Sequence, residues 1–237
     1  HTHSIAVCME GICNARRFMS ALRSAAYSKP VVVLKSGRRT AGSAAALTHS
    51  ATIVGSDDVF DAALRRAGAV RVHSFVELFS ATKCLASRYR PVGRRLAVIT
   101  NGGGPGVLAA DAANDIGLEL GVLSEAGRAA LAPQLPAQAT LQELFDLSED
   151  ATPAQYRAAI DAALAERQIA GVLTLFSPKP GNDASAVAQA LADAKRQAEK
   201  PLLSCWLGDA TVGEAREVLR DASIPTFRTP EAAVGAF

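Results

Sequence analysis

The sequence is short of the residues that mark several familiar function classes. Its four cysteines, Cys8, Cys13, Cys84 and Cys205, form no CxxC pair, so the usual zinc-ribbon or dithiol signature is missing. Cys8 and Cys205 lie in apolar runs that read as buried strands and are expected to be small core residues. That usage suits a reducing cytoplasm. No apolar run is long enough to span a bilayer, and no signal peptide is recognisable. The formal net charge is only +2, and the basic residues are scattered apart from pairs such as Arg38-Arg39 and Arg94-Arg95. Neither nucleic acid nor a membrane surface is expected as a partner. The absence of a GxSxG segment argues against a Ser-His-Asp hydrolase. No metal site is expected either: His1 and His3 sit at a terminus that reads as frayed. The chain opens without methionine, and a fragment of a longer protein is expected.

Aromatics are also scarce, at 5%, while 49% of the residues are hydrophobic. Such a composition suits α/β layers built on Ala, Val and Leu. Residues 4–9 (SIAVCM) read as a strand, 13–27 as an amphipathic helix stopped by Pro30, and 31–34 (VVVL) as a β-branched buried strand. A Gly/Ala/Ser/Thr-rich stretch, 36–55, follows. Ser56 is then an N-cap candidate, with Asp57 and Asp58 in the first helical turn and Gly68 at the C′ position. Residues 69–72 read as a strand and 74–87 as a helix. Arg90-Pro91-Val92-Gly93 breaks the pattern.

The cycle then restarts. Residues 95–100 (RLAVIT) form a strand, 101–104 a glycine turn and 105–116 a helix closed by Gly117, with strands expected over 118–123, 169–176, 201–206 and 224–227. Alternating βα units imply parallel sheets with helices on both faces and right-handed crossovers. The expected architecture is two consecutive flavodoxin-like, doubly wound parallel-sheet domains, 1–92 and 93–237.

Ligands in such sheets gather at the carboxyl ends of the strands. The strongest local signal there is NGGGPG: Asn101, Gly102, Gly103, Gly104, Pro105 and Gly106. Glycines let backbone N–H groups approach an anion, and Pro105 is pre-set for a helix start whose partial positive charge faces the turn. No Gly-Lys-Ser/Thr follows, so the segment is not a P-loop. It reads either as a phosphate or carboxylate cradle or as a tight turn needing glycine for geometry alone. His49 lies in ALTHSATIVGSDD (46–58), among residues too small to hide it and upstream of the Ser56 helix start. As a phosphoryl acceptor it would need helix-end and N–H stabilisation, and a carboxylate on its other ring nitrogen. Glu10, ending the first strand, is the best-placed acid. Lys35, Arg38 and Arg39 read either as anion holders or as a solvated basic loop. Asp146 is ambiguous, Ser177 and Asn182 flank a Pro/Gly loop, and Trp206 is expected to pack.

Four collinear segments resemble the NDP-forming acyl-CoA synthetases: EGICNARRFMSALRSAAYSKPVVVLKSGR from Glu10, THSA-x-x-x-GSDDVFDAALRRAGAVRV from Thr48, VITNGGGPGVLAADA from Val98, and IPTFRTPEAAV from Ile224. They also resemble the bacterial lysine acetyltransferases that fuse the same body to a GNAT domain, and the RRFMSA and VLKSGR wording looks more like that branch. The resemblance implies a succinyl-CoA-synthetase-like fold and a phosphohistidine at His49. It also implies a supporting glutamate at Glu10 and a phosphate-binding turn at Asn101, Gly102, Gly103, Gly104 and Gly106; the helix start at Ser56, read from the residues, would help to stabilise the phosphate. CoA and ADP or ATP with Mg2+ would serve the whole parent, with nothing held tightly by this piece. Implied partners are acyl-CoA and the parent's CoA-binding Rossmann, ATP-grasp and possible GNAT domains, in a cytoplasmic homo-oligomer. In the alternative branch the same body is a non-catalytic acyl-CoA or nucleotide sensor. Two motifs depart from the family: Ala51 stands where a glycine is usual, and Glu143-Leu144-Phe145-Asp146 replaces an Asn-Pro-x-Asp segment.

Overall fold

The computed structural model describes residues 2–37, 56–86 and 91–237. Two compact units divide the chain, His1–Ala86 and Ser87–Phe237.

In the first unit, β1 (Ile5–Met9), β2 (Val31–Lys35) and β3 (Val70–Val72) make a parallel sheet in the order β1-β2-β3. Ile5 pairs with Val31, and Met9 with Lys35. The middle strand β2 is buried along its whole length, which is where β-branched valines pack best. Helix α1 (Ala15–Ser28) starts at Asn14, whose side chain accepts the Arg17 N–H at 3.0 Å. Helix α2 (Asp57–Ala67) ends at Gly68, whose φ of 77° few other residues tolerate and whose N–H reaches the Leu64 and Arg65 carbonyls. Leu22 of α1 and Phe60 and Leu64 of α2 pack on Val31 and Val33. Leu78 of α3 (Phe75–Ala86) joins Val32, Leu34 and Val72 on the opposite face. The period-two alternation of β2 thus feeds two cores.

The second unit is built on β4 (Arg95–Thr100), α4 (Gly103–Asp115), β5 (Glu119–Leu120), α5 (Glu125–Leu131), β6 (Thr140–Leu141), β7 (Leu144–Asp146) and α6 (Pro153–Ala165). It continues with β8 (Gly171–Phe176), α7 (Ala184–Lys195), β9 (Leu202–Trp206), α8 (Gly213–Asp221), β10 (Thr226–Phe227) and α9 (Pro230–Ala236). The strand order is β10-β9-β8-β4-β7-β6, with β5 also on β4. The expected α/β architecture with parallel sheets is present. Tyr156, Phe176 and Trp206 run through its core, the first pair tilted with ring centroids 6.3 Å apart and the second stacked at 5.4 Å.

Three expectations need correction. The strand anticipated over 118–123 is only Glu119–Leu120. The reason is shared space: β5 pairs with the start of β4, Arg95 to Glu119, while β7 takes its end, Val98 to Leu144. Neither strand can run the length of that edge. The sheet is also not wholly parallel, because β6 folds back antiparallel on β7. Cys8 is exposed rather than buried, because β1 is a half-covered edge strand in which alternate residues face outward. Cys205 is buried as expected, and burial pushes its thiol up to about 12. Among the described residues no helix is long and apolar enough to cross a membrane.

Candidate functional site

In the second unit the chain leaves β4 and enters α4 through the glycine turn. Thr100 closes the turn: its hydroxyl donates to the Gly102 carbonyl at 2.8 Å and accepts the Gly102 N–H at 3.0 Å. Asn101 is wholly buried. Its side-chain oxygen accepts the Ser177 N–H at 2.8 Å, and its amide donates to the Ser177 carbonyl at 2.9 Å. Close by, the Tyr156 hydroxyl donates to the Leu175 carbonyl at 2.8 Å. Burial pushes the Tyr156 phenol well above its ordinary range, so it stays a donor. Asn101 therefore ties the ends of β4 and β8 together, and its side chain is spent on that job.

The glycines differ in what they do. A Cβ on Gly102 would meet the Ser177 Oγ at 2.9 Å, and one on Gly106 would meet Thr100 Cγ2 at 3.1 Å and Leu144 Cδ1 at 3.3 Å. Those two positions need glycine for close packing. A Cβ on Gly104 would meet nothing within 4 Å, so this glycine faces open space at the helix start. A Cβ on Gly103 would lie 3.6 Å from Asp146 Oδ2. Asp146 Oδ1 accepts the Ser148 N–H at 3.0 Å, which turns the other oxygen towards the turn. No acidic residue occupies the first turn of α4, and its N-cap, Gly102, offers no side chain. The α4 N-terminus thus presents backbone N–H groups to whatever approaches. An anion there would also meet the Asp146 carboxylate, which repels it. Asn182 buttresses the same edge, accepting the Lys179 N–H at 3.1 Å through its side-chain oxygen.

In the first unit, Glu10 follows directly on β1 and is half-buried. The neighbouring strand end is held to it: the Ser36 N–H donates to the Met9 carbonyl at 3.0 Å. Lys35, at the end of β2, is 3% exposed, so the solvated-loop reading does not apply to it. Its ammonium donates to the Ser36 carbonyl at 3.2 Å and lies 5.5 Å from the Phe60 ring centre. Arg71 of β3 shares that ring at 5.4 Å. It also donates to the Asp57 carbonyl at 3.1 Å and carboxylate at 2.5 Å. Asp57 is therefore an anchor for α2. Ser56 occupies the N-cap position, but its hydroxyl makes no cap hydrogen bond. His49, Arg38, Arg39 and Ala51 lie outside the described residues. Among the described residues no group of three or more His, Cys, Asp or Glu is placed to hold a metal.

Sequence reasoning did not single out Tyr156 and left Lys35 between two readings. Nothing near Tyr156 in the chain signals its hydrogen bond to Leu175. For Lys35 the signal was the unbroken apolar run before it.

The chain thus comprises two α/β units, one with a buried lysine at a strand end and the other with a glycine-lined helix start. Residues 1–85 match the succinyl-CoA ligase like flavodoxin domain, and residues 96–236 match the Ligase-CoA domain. The chain belongs to the NDP-forming acyl-CoA ligase family. It is similar to ADP-forming acetate–CoA ligase I of Archaeoglobus fulgidus, at 33% identity over 99% of this chain and 33% of that protein. It is also similar to the alpha subunit of ADP-forming acetate–CoA ligase I of Pyrococcus furiosus, at 32% identity over 100% of this chain and 51% of the subunit. A dinucleotide-forming acetyl-coenzyme A synthetase 1 of Ca. Korarchaeum cryptofilum, solved with phosphate and ADP, superposes with a TM-score of 0.89 at 30% identity, covering 99% of this chain and 52% of that one. The chain spans about half the length of that synthetase chain and of the Pyrococcus subunit, and a third of the Archaeoglobus ligase.

Proposed function

We propose that this chain is the phosphoryl-relay core of an ADP-forming acyl-CoA synthetase. In this reading phosphate displaces CoA from acyl-CoA to give an acyl phosphate. The acyl phosphate passes its phosphoryl group to His49, releasing the acid, and phosphohistidine then passes it to ADP to give ATP. Residues 1–92 form the domain that carries His49, and 93–237 form the ligase domain. Glu10 holds the second imidazole nitrogen of His49, which fixes the tautomer and supports the charge of the phosphorylated ring. Gly102, Gly103, Gly104 and Gly106 form the phosphate cradle. Asn101 serves that cradle by fixing the turn rather than by touching phosphate, and Ser56 offers a second helix start. CoA, ADP or ATP and Mg2+ are taken by the complete parent, a cytoplasmic homo-oligomer, through its remaining domains.

The observation that carries this reading is the α4 helix start, stripped of side chains and opening at Gly104. Its chemistry suits a phosphoryl group, and the similarity to ADP-forming ligases supports the same assignment. Nothing observed favours the acetyltransferase-fused sensor over it. The test is to treat the intact parent with acyl-CoA and labelled phosphate. An acid-labile, base-stable phosphoprotein is expected, absent in His49→Ala and strongly reduced in Glu10→Gln. A parent that turns over without ever becoming phosphorylated would refute the relay.

A further inference from the structure

The first unit is wound in one direction only. Its strands run in the order β1-β2-β3, all parallel, and α1 and α2 both pack on the face of Val31 and Val33. Right-handed crossovers that advance the same way place their helices on the same face. The opposite face, with Val32, Leu34 and Val72, carries α3 alone among the described helices. Ala6 and Cys8 of β1 stand in register with Val32 and Leu34 on that face, and both are exposed. The α3 layer thus leaves β1 uncovered on that side.

The helix has a matching bare strip. Phe75, Val76 and Phe79 are 60%, 65% and 66% exposed, with the two rings stacked 6.4 Å apart. At 3.6 residues per turn they line up about a third of a turn round from Leu78, Ala81 and Leu85, which pack on the sheet. A strip at that angle faces a neighbour in the same helix layer rather than open water. Because α3 returns antiparallel to the strands, its right-handed turn puts the strip on the β1 side. The edge of β1 is open as well. The Ile5 N–H donates to the Pro30 carbonyl at 2.9 Å, so by the alternation of the ladder the N–H groups of Ala6 and Cys8 point away from β2. Among the described residues no strand pairs there.

We propose that this edge and strip seat a further βα segment of the parent chain, lying outside these 237 residues. Its strand pairs parallel with β1, and its helix lies beside α3, over Ala6, Cys8, Phe75 and Phe79. A helix on that face belongs to crossovers that advance away from β3, the reverse winding that makes a sheet doubly wound. Relatives have chain to spare for it, since the matched stretch is 51% of one and 33% of another. A second copy fits less well. The α3 strip leaves on the order of 350 Å² bare, less than half of the ~800 Å² that each partner of a stable complex buries. A tethered segment needs less area, because the tether raises its effective concentration. The domain that carries His49 then extends beyond residues 1–92. None of this depends on His49 being phosphorylated.

The test uses the intact parent. In the folded protein Cys8 should react with a maleimide roughly a hundredfold more slowly than in the urea-unfolded chain, and the Ala6 and Cys8 amides should be protected from hydrogen exchange. Phe79→Ser should lower the melting temperature by several degrees, and Phe79→Leu should recover most of the loss. A photo-crosslinking phenylalanine analogue at position 79 should join a peptide of the same chain outside residues 1–237. Cys8 labelling at the unfolded rate, free exchange of both amides, or a Phe79→Ser variant that melts as wild type does would each overturn the proposal. So would a crosslink that falls within residues 1–237, or one that doubles the mass by joining a second copy.

Discussion

The central strand of the first unit ends on a buried lysine, whereas the central strand of the second runs into a buried asparagine. Both groups sit at the carboxyl edge of a parallel sheet, and both are costly to bury unless partnered. The difference lies in what they leave for a ligand. Asn101 spends its side chain on Ser177, so anything binding beside it meets backbone N–H groups shaped by glycine. Lys35 sets its side-chain nitrogen against the Ser36 carbonyl and over the Phe60 ring. The second unit shapes its strand end by backbone geometry, and the first places a lysine there.

Removing the geometric device should have the largest effect. Asn101→Ala strands the Ser177 N–H and carbonyl, and should cost about 2–4 kcal/mol in a urea melt of the intact protein. Asn101→Asp should recover little, because it loses the amide donor to the Ser177 carbonyl. The glycine turn offers a sharper contrast. Gly102→Ala drives a methyl to 2.9 Å from Ser177 Oγ and should cost about 1–3 kcal/mol. Gly104→Ala meets open space and should be neutral or stabilising by up to about 1 kcal/mol. It should nevertheless weaken phosphate binding, because its methyl points to where the anion would sit. If the two variants behave alike in both stability and binding, the division between packing and ligand glycines is wrong.

Asp146→Asn removes the carboxylate facing Gly103, and a several-fold tightening of phosphate, and of sulfate as a competitor, is expected by titration. Loss of phosphate binding instead would mean that the carboxylate receives a proton or cation from the ligand.

The smallest effect concerns pH. Burial lowers Lys195 from 10.5 to about 8 in the folded chain. Between those values the unfolded chain binds more protons, so stability should rise with pH across the window. The side chain stays partly solvated, so the rise is modest. Urea melts below, within and above the window should show it, and Lys195→Met should flatten it.

Much of this was legible in the sequence because it is local. The valines at 31–33, the glycine at 68 and the strand-to-glycine step at 100–102 each determine a nearby conformation by sterics. The edges were less legible because they depend on distant partners. The shortening of β5 comes from β7 competing for one side of β4. The exposure of Cys8 follows from β1 lying at an edge of the described sheet. At the site the same rule holds. Gly102, Gly104 and Asp146 were visible as residues, but the Asn101–Ser177 clamp joins positions 76 apart and the Tyr156 contact has no local mark. The burial of Lys35 was not legible because a lysine before Ser-Gly resembles the start of a loop.

The central claim is that His49 carries the phosphoryl group. The direct measurement is phosphate-labelled intact mass of the complete parent after incubation with acyl-CoA and labelled phosphate, in wild type and His49→Ala. The account predicts one acid-labile, base-stable phosphate per chain, discharged by ADP with formation of ATP and absent from the variant. A parent that makes ATP with no phosphorylated intermediate, or whose phosphate survives in His49→Ala, would contradict it.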